Sequence, residues 1–277
     1  MDATTDRMPD VTLPAPFADW FAARGWSPRE HQLALIEKTS GGRSALLIAP
    51  TGAGKTLAGF LPSLIDLYQR GKKKPGTAFR GIHTLYISPL KALAVDIERN
   101  LDRPVSEMAL PIEIETRTGD TSQHKRMRQR LSPPDILLTT PEQVALLISS
   151  PEAERFFKDL QFVIFDELHS LVTSKRGHLL SLGLARLRKL APGLRTIGLS
   201  ATVADPDDLR RWLVAQHEGV DCLAELVTVT GGARPHITIL GTEERIPWQG
   251  HSARYAMGEV YQAIKEHKTT ILFVNTR

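Results

Sequence analysis

Two short stretches carry side chains at a spacing suited to phosphate chemistry. The first runs Ala49-Pro50-Thr51-Gly52-Ala53-Gly54-Lys55-Thr56. Successive backbone amides can converge on phosphate oxygens only where the chain takes conformations that a Cβ resists, and Gly52 and Gly54 supply those positions. Thr51 and Ala53 extend the same run of amides. Lys55 offers a point charge to the β- and γ-phosphates, and Thr56 offers a hydroxyl to Mg²⁺. The general pattern has glycine at its first position, where this chain has another small residue, Ala49. The second stretch is Asp166-Glu167-Leu168-His169, directly after the apolar Phe162-Val163-Ile164-Phe165. Two adjacent acids are costly without a cation nearby. Asp166 is therefore the candidate metal carboxylate, acting through water from the strand next to the phosphate loop. Glu167 is the candidate for orienting and polarising the water that attacks the γ-phosphate. His169 is placed to hydrogen-bond across the same site. No second histidine or cysteine at ligand spacing gives it a metal role. Taken singly, the two stretches are also compatible with a glycine-rich turn and a solvated acidic turn. Together they favour ATP with Mg²⁺ and make Lys55, Glu167 and His169 candidate catalytic residues.

Such residues need a scaffold that brings loop ends to one edge. Short apolar runs at 44–49, 82–88, 112–116, 135–139, 162–166 and 196–200 alternate with helix-like stretches at 55–70, 91–103, 122–130, 141–149, 179–190 and 205–214. Alternating strands and helices imply right-handed crossovers and a parallel α/β sheet with helices on both faces. Strands that lack polar alternation fit burial on both sides. In open sheets of this kind, ligands bind beyond the carboxyl ends of the strands, which is where both stretches fall.

Glycine and proline at Gly231-Gly232-Ala233-Arg234-Pro235 signal a linker. After it, residues 236–240 and 270–275 read as strands around a helix at 253–267. A lone strand–helix–strand cannot bury its own core. The expected organisation is one domain over 1–231 and the truncated start of a second over 232–277.

The chain has 277 residues, 42% hydrophobic and 24% charged, with a formal net charge of +4. These proportions fit a folded α/β domain and only mildly favour a polyanionic partner. The single cysteine, Cys222, excludes an intrachain disulfide. Residues 1–16 lack the basic and apolar segments of a secretory signal, and no apolar run reaches membrane-spanning length, so a cytoplasmic location is expected.

The residues so far assembled resemble a superfamily 2 DEXH-box helicase. Residues 49–56 resemble its motif I and residues 166–169 the DEXH form of motif II. Ser200-Ala201-Thr202 stands where motif III belongs, and the resemblance implies that Ser200 and Thr202 couple the ATP site to the bound strand. Arg29-Glu30-His31-Gln32 resembles the element whose glutamine reads the adenine edge, making Gln32 and Arg29 candidate nucleotide contacts. Residues 88–93 resemble motif Ia, residues 117–121 and 139–142 the two nucleic-acid elements that follow it, and residues 271–277 motif IV. The stretches TLYISPLKALAVDIERNL, TRTGDT, DILLTTPEQ and DELHSLVTSKRG resemble the large helicase-related family, and within it the ligase-associated DEXH branch.

That resemblance implies two RecA-like domains with ATP in the cleft between them, 3′-to-5′ translocation on a single strand, unwinding of DNA or RNA–DNA duplexes, and DNA-repair partners. The sequence stops within motif IV. Motifs V and VI are therefore missing, and with them the arginine finger, which is worth ~10³–10⁵ in rate in related nucleotide hydrolases. These 277 residues are accordingly expected to bind nucleotide, hydrolyse it poorly and not unwind.

For the strand itself, Pro89, Lys91, Thr118, Gly119, Thr140 and Pro141 fall at strand-to-helix turns where amides and hydroxyls can meet phosphates. Lys175 and Arg176, expected on a loop after motif II, are further candidates. Contacts of this kind give sequence-independent, salt-sensitive binding to single-stranded or duplex DNA or RNA. Each could also be an ordinary helix cap, and the basic stretch at 125–130 could be a solvated helix face. A P-loop transporter ATPase lacks support, because no LSGGQ-like signature is present. A small-molecule kinase lacks a recognisable lid. A non-hydrolysing ATP- and nucleic-acid-binding module is the remaining alternative.

Overall fold

The computed structural model describes residues 11–71, 80–229, 236–241 and 256–274. In chain order the elements are α1 (Ala15–Ala23), α2 (Glu30–Ser40), β1 (Ala45–Ile48), α3 (Lys55–Arg70), β2 (Thr84–Ile87), α4 (Lys91–Glu107), β3 (Ile114–Arg117), α5 (Gln123–Leu131), β4 (Ile136–Thr139), α6 (Pro141–Ile148), α7 (Ala153–Phe157), β5 (Phe162–Phe165), α8 (Leu168–Val172), α9 (Lys175–Leu190), β6 (Arg195–Ser200), α10 (Asp207–Leu213), β7 (Glu225–Thr228) and α11 (Met257–Lys265).

Strands β1 to β7 form one sheet in the order β3-β4-β2-β5-β6-β1-β7, and every neighbouring pair is parallel. Because side chains alternate across a strand, each strand feeds two cores. Ala45, Leu47, Tyr86, Ile164 and Leu199 pack beneath α1 to α4 on one face. Leu46, Ile48, Ile87, Val163 and Phe165 pack beneath α6 to α10 on the other. This is the α/β arrangement that the alternating pattern requires. Four sequence features set its edges. Ser122 caps α5 by accepting from the Lys125 amide at 3.3 Å, Pro141 opens α6, and Ser174 caps α9 by accepting from the Gly177 amide. Gly59 lets α3 lie close on the sheet, since a Cβ there would stand 3.0 Å from Leu199 Cδ1 and 3.4 Å from Ile164 Cγ2.

Several expectations need correcting. Lys175 and Arg176 do not lie on a loop: they form the first turn of α9 behind the Ser174 cap. Strand β7 pairs with β1 beyond the expected sheet edge. Its four residues give only one and a half alternations, too few to read as a strand. The chain divides into two compact units, Met1–Gly231 and Gly232–Arg277. In the second, α11 forms, but residues 236–240 and 270–274 are not strands among the described residues. Ile237, Ile239, Ile271 and Phe273 are exposed there, and a strand needs a ladder partner to satisfy its backbone. The linker expected at 231–235 lies outside the described residues. No helix of the described residues is long and apolar enough to cross a membrane.

Candidate nucleotide- and strand-binding site

The loop after β1 turns through Gly52 at φ +81° and Gly54 at φ +77°, the left-handed region that side chains resist. Gly54 is also the N-cap of α3, so the first amides of that helix face the loop. The Lys55 ammonium lies inside this bend, donating to Ala49 O at 2.8 Å and Pro50 O at 3.2 Å. The start of α2 packs against the same bend. A Cβ on Gly54 would be 3.7 Å from Gln32 Nε2 and 3.8 Å from Arg29 Nη1. Gln32 is buried, and its Oε1 accepts from the Arg29 amide at 2.9 Å. His31 is also buried, and burial lowers its pKa. Phe17 is fully buried beside Tyr68, whereas Trp26 is 56% exposed.

Asp166 follows β5. By strand alternation its side chain lies on the face of Ile164 and Tyr86, the face that α3 covers. Thr56 stands in the first turn of α3, one turn before the close approach at Gly59. Thr56, at the start of α3, and Asp166, at the end of β5, thus belong to the sheet face that α3 covers. One expectation changes: β5 is not the neighbour of the loop strand β1. Strand β6 lies between them, which separates β1 and β5 by two spacings, about 10 Å. The intervening strand ends at Ser200, so motif III occupies the gap.

The Asp166 carboxylate accepts from the Tyr86 hydroxyl, and its Oδ1 accepts from the Glu167 amide at 3.0 Å. Glu167 adopts φ 48°, ψ 44° as N-cap of α8. A non-glycine residue in this region is strained, a condition that clusters at functional sites. His169 Nδ1 lies 3.1 Å from Ser200 Oγ, and His169 Nε2 lies 3.4 Å from Glu167 Oε2. Glu167, His169 and Ser200 therefore form one polar chain. Thr202 is exposed and makes no side-chain hydrogen bond among the described residues.

The strand candidates line the other half of the same edge, at the ends of β3, β4 and β2. Lys91 is exposed and pairs with Asp120 at 3.0 and 3.1 Å, beside Gly119. The Thr118 amide donates to Thr121 Oγ1 at 2.9 Å. Arg126 donates to the carbonyls of Thr118, Gly119 and Thr121, so part of the basic cluster braces this loop. Thr140 and Pro141 are buried at the start of α6. Arg176 grips Glu142 through two nitrogens, at 2.5 and 3.0 Å, and Pro89 O at 2.7 Å. Lys175 is exposed.

Comparison with known proteins shows the family. The DEAD/DEAH box helicase family matches residues 29–209, from the Gln32 element through the start of α10. The chain belongs to that family. Among its relatives, ATP-dependent helicase Lhr-Core of Methanothermobacter thermautotrophicus is 36% identical over 273 residues, covering 94% of this chain and 31% of the relative. The Lhr helicase/probable uracil glycosylase of Mycolicibacterium smegmatis is 40% identical over 210 residues, covering 72% of this chain and 14% of the relative. The structure of Mycobacterium smegmatis helicase Lhr bound to ssDNA and AMP-PNP superposes with a TM-score of 0.77 at 32% identity, covering 96% of this chain and 34% of that one. The chain thus spans about a third or less of the length of these relatives.

Within the helicase domain, sequence reasoning missed Tyr86, which reads as one apolar residue of a buried strand. It also missed the bracing role of Arg126 and the burial of Arg117, whose Nε and Nη1 have no hydrogen-bond partner among the described residues. Burial, then the charges of Arg130 and Arg126, lower the Arg117 pKa to about 10. A helical reading of residues 125–130 carries no sign of which residue turns inward.

Proposed function

We propose that this chain is the ATP- and strand-binding part of a nucleic-acid helicase or translocase of the ligase-associated DEXH kind, moving 3′ to 5′. The observation that carries the proposal is the order of chemistry along one sheet edge, with the phosphate loop, Ser200 and Asp166 in one half and Lys91, Gly119 and Thr140 in the other. The residues fit ATP and Mg²⁺. Two glycines open a bend of amides, a lysine lies inside it, a hydroxyl opens the helix that follows, and a buried carboxylate stands at the end of β5. Mg²⁺ takes few protein ligands and several from phosphate and water, which suits one acid and one hydroxyl. When bound, it neutralises charge on the β- and γ-phosphates.

The roles of the chain's own residues follow. Amides from Thr51 to Thr56 cradle phosphate, and Lys55 turns from the loop carbonyls to the β- and γ-oxygens. Gln32 and Arg29 contact the base side of the loop. Thr56 and Asp166 hold the ion. Glu167 accepts the proton of the attacking water, with His169 and Ser200 fixing its carboxylate. Ser200 and Thr202 transmit the state of that site to the strand. Pro89, Lys91, Thr118, Gly119, Thr140, Pro141 and Lys175 lie along the strand, while Arg176 holds Pro89 and Glu142 in place.

The reading is tested by titrating a fluorescent ATP analogue and fluorescein-labelled single-stranded DNA onto the protein. Mg²⁺-dependent nucleotide binding that is lost in Lys55→Ala, together with strand binding that weakens steeply with salt, is expected. Nucleotide binding that survives Lys55→Ala unchanged would overturn it.

A further inference from the structure

The two halves of the sheet edge meet at the β2–β5 pair, and one side chain spans the join. Tyr86 pairs with Ile164 in register. Asp166 lies two residues beyond Ile164 on the same face, within diagonal reach of a long side chain. The Tyr86 ring is fully buried and stacks on Phe60 of α3, with centroids 5.1 Å apart. Its hydroxyl donates to Asp166 Oδ2. Two residues on, Ser88 Oγ accepts from the Leu90 amide at 3.4 Å.

We propose that Tyr86 is a positioning residue for the metal site, its hydroxyl fixing the Asp166 carboxylate in the orientation that holds Mg²⁺. The inference rests on the nucleotide reading above. Asp166 is 8% exposed, and its Oδ1 is already tied to the Glu167 amide. The Tyr86 hydroxyl sets the remaining degree of freedom, rotation about the Cβ–Cγ bond. A buried tyrosine hydroxyl needs a partner in any case. What separates positioning from mere satisfaction is the metal affinity. Partners that orient a ligating group typically change metal affinity 10–100-fold when removed.

The test is Tyr86→Phe, which keeps the ring on Phe60 and removes only the hydroxyl. Binding of a fluorescent ATP analogue is measured across a Mg²⁺ titration and again in EDTA, and Mn²⁺ binding in the presence of nucleotide is followed by electron paramagnetic resonance. The expected result is about a tenfold weaker apparent Mg²⁺ and Mn²⁺ affinity, with affinity in EDTA unchanged. Phe60→Leu keeps the hydroxyl and loosens the packing, so it is expected to lower the melting temperature without moving the metal constant. Unchanged metal affinity in Tyr86→Phe overturns the assignment, and so does an equal shift in Phe60→Leu. Absence of any Mg²⁺-dependent nucleotide binding by the unsubstituted protein overturns the nucleotide reading itself, and this proposal with it.

Discussion

His169 Nδ1 lies 3.1 Å from Ser200 Oγ, joining the end of β5 to the end of β6. The Ser200 hydroxyl donates to Ala201 O at 2.9 Å, so its oxygen accepts the Nδ1–H of the imidazole. The other ring nitrogen, Nε2, lies 3.4 Å from Glu167 Oε2.

Ser200→Ala removes the acceptor and frees the ring. In the protein carrying its complete complement of helicase domains, ATP turnover is expected to fall about tenfold or more, as for a misplaced catalytic group, with nucleotide affinity within twofold. Thr202→Ala, whose side chain has no such bond, is expected to spare turnover and reduce unwinding. Parallel loss of turnover and unwinding in Thr202→Ala would contradict a coupling role for that residue.

Arg176 separates two readings of a basic residue near a strand. A phosphate contact, when removed, lowers the slope of log affinity against log salt by about one. A brace, when removed, lowers affinity and leaves the slope in place. Because the guanidinium is engaged by Glu142 and Pro89 O, Arg176→Gln is expected to weaken single-strand binding several-fold with an unchanged slope. Lys91→Gln is expected to reduce the slope. Fluorescence anisotropy from low to moderate salt reads both.

How much was legible in the sequence differs from residue to residue. The loop at 49–56 and the acids at 166–167 were legible because their chemistry demands particular side chains at fixed spacing. Strands β1, β2, β4 and β5 were legible because burial on both faces leaves largely apolar runs, whereas the edge strand β3, Ile114–Arg117, is only partly buried and mostly polar. Strand order was not, since β6 enters between β1 and β5 through crossovers that the linear pattern does not rank. Tyr86 was hidden because a buried aromatic in a strand is ordinarily core. Arg176 carries a charge that suits solvent, phosphate or carboxylate alike, and only Glu142 and Pro89 decide among them.

Two buried histidines set the pH dependence of stability. Burial lowers the pKa of His31 and of His83 from 6.5, and for His83 it outweighs the bond to Asp66. The unfolded chain takes up protons near pH 6.5 that the folded rings refuse. Stability is therefore complete above that value and declines as pH falls below it. The urea midpoint is expected to drop by about 0.5 M or more between pH 7.5 and pH 5.5, about 1 kcal/mol at an m-value near 2 kcal/mol/M. His83→Asn, which keeps a polar side chain but cannot titrate, is expected to show a smaller drop. A midpoint that rises on acidification would contradict this assignment.

The central claim is that one cation, held by Asp166 and Thr56, joins the two stretches at the nucleotide phosphates. Titrating Mg²⁺ against binding of a fluorescent ATP analogue tests it directly, in the unsubstituted protein, in Asp166→Asn and in Thr56→Val. Mg²⁺-enhanced binding is expected in the unsubstituted protein, with at least a tenfold loss of that enhancement in each variant and affinity in EDTA preserved. An Asp166→Asn protein with the same Mg²⁺ dependence as the unsubstituted protein would contradict it.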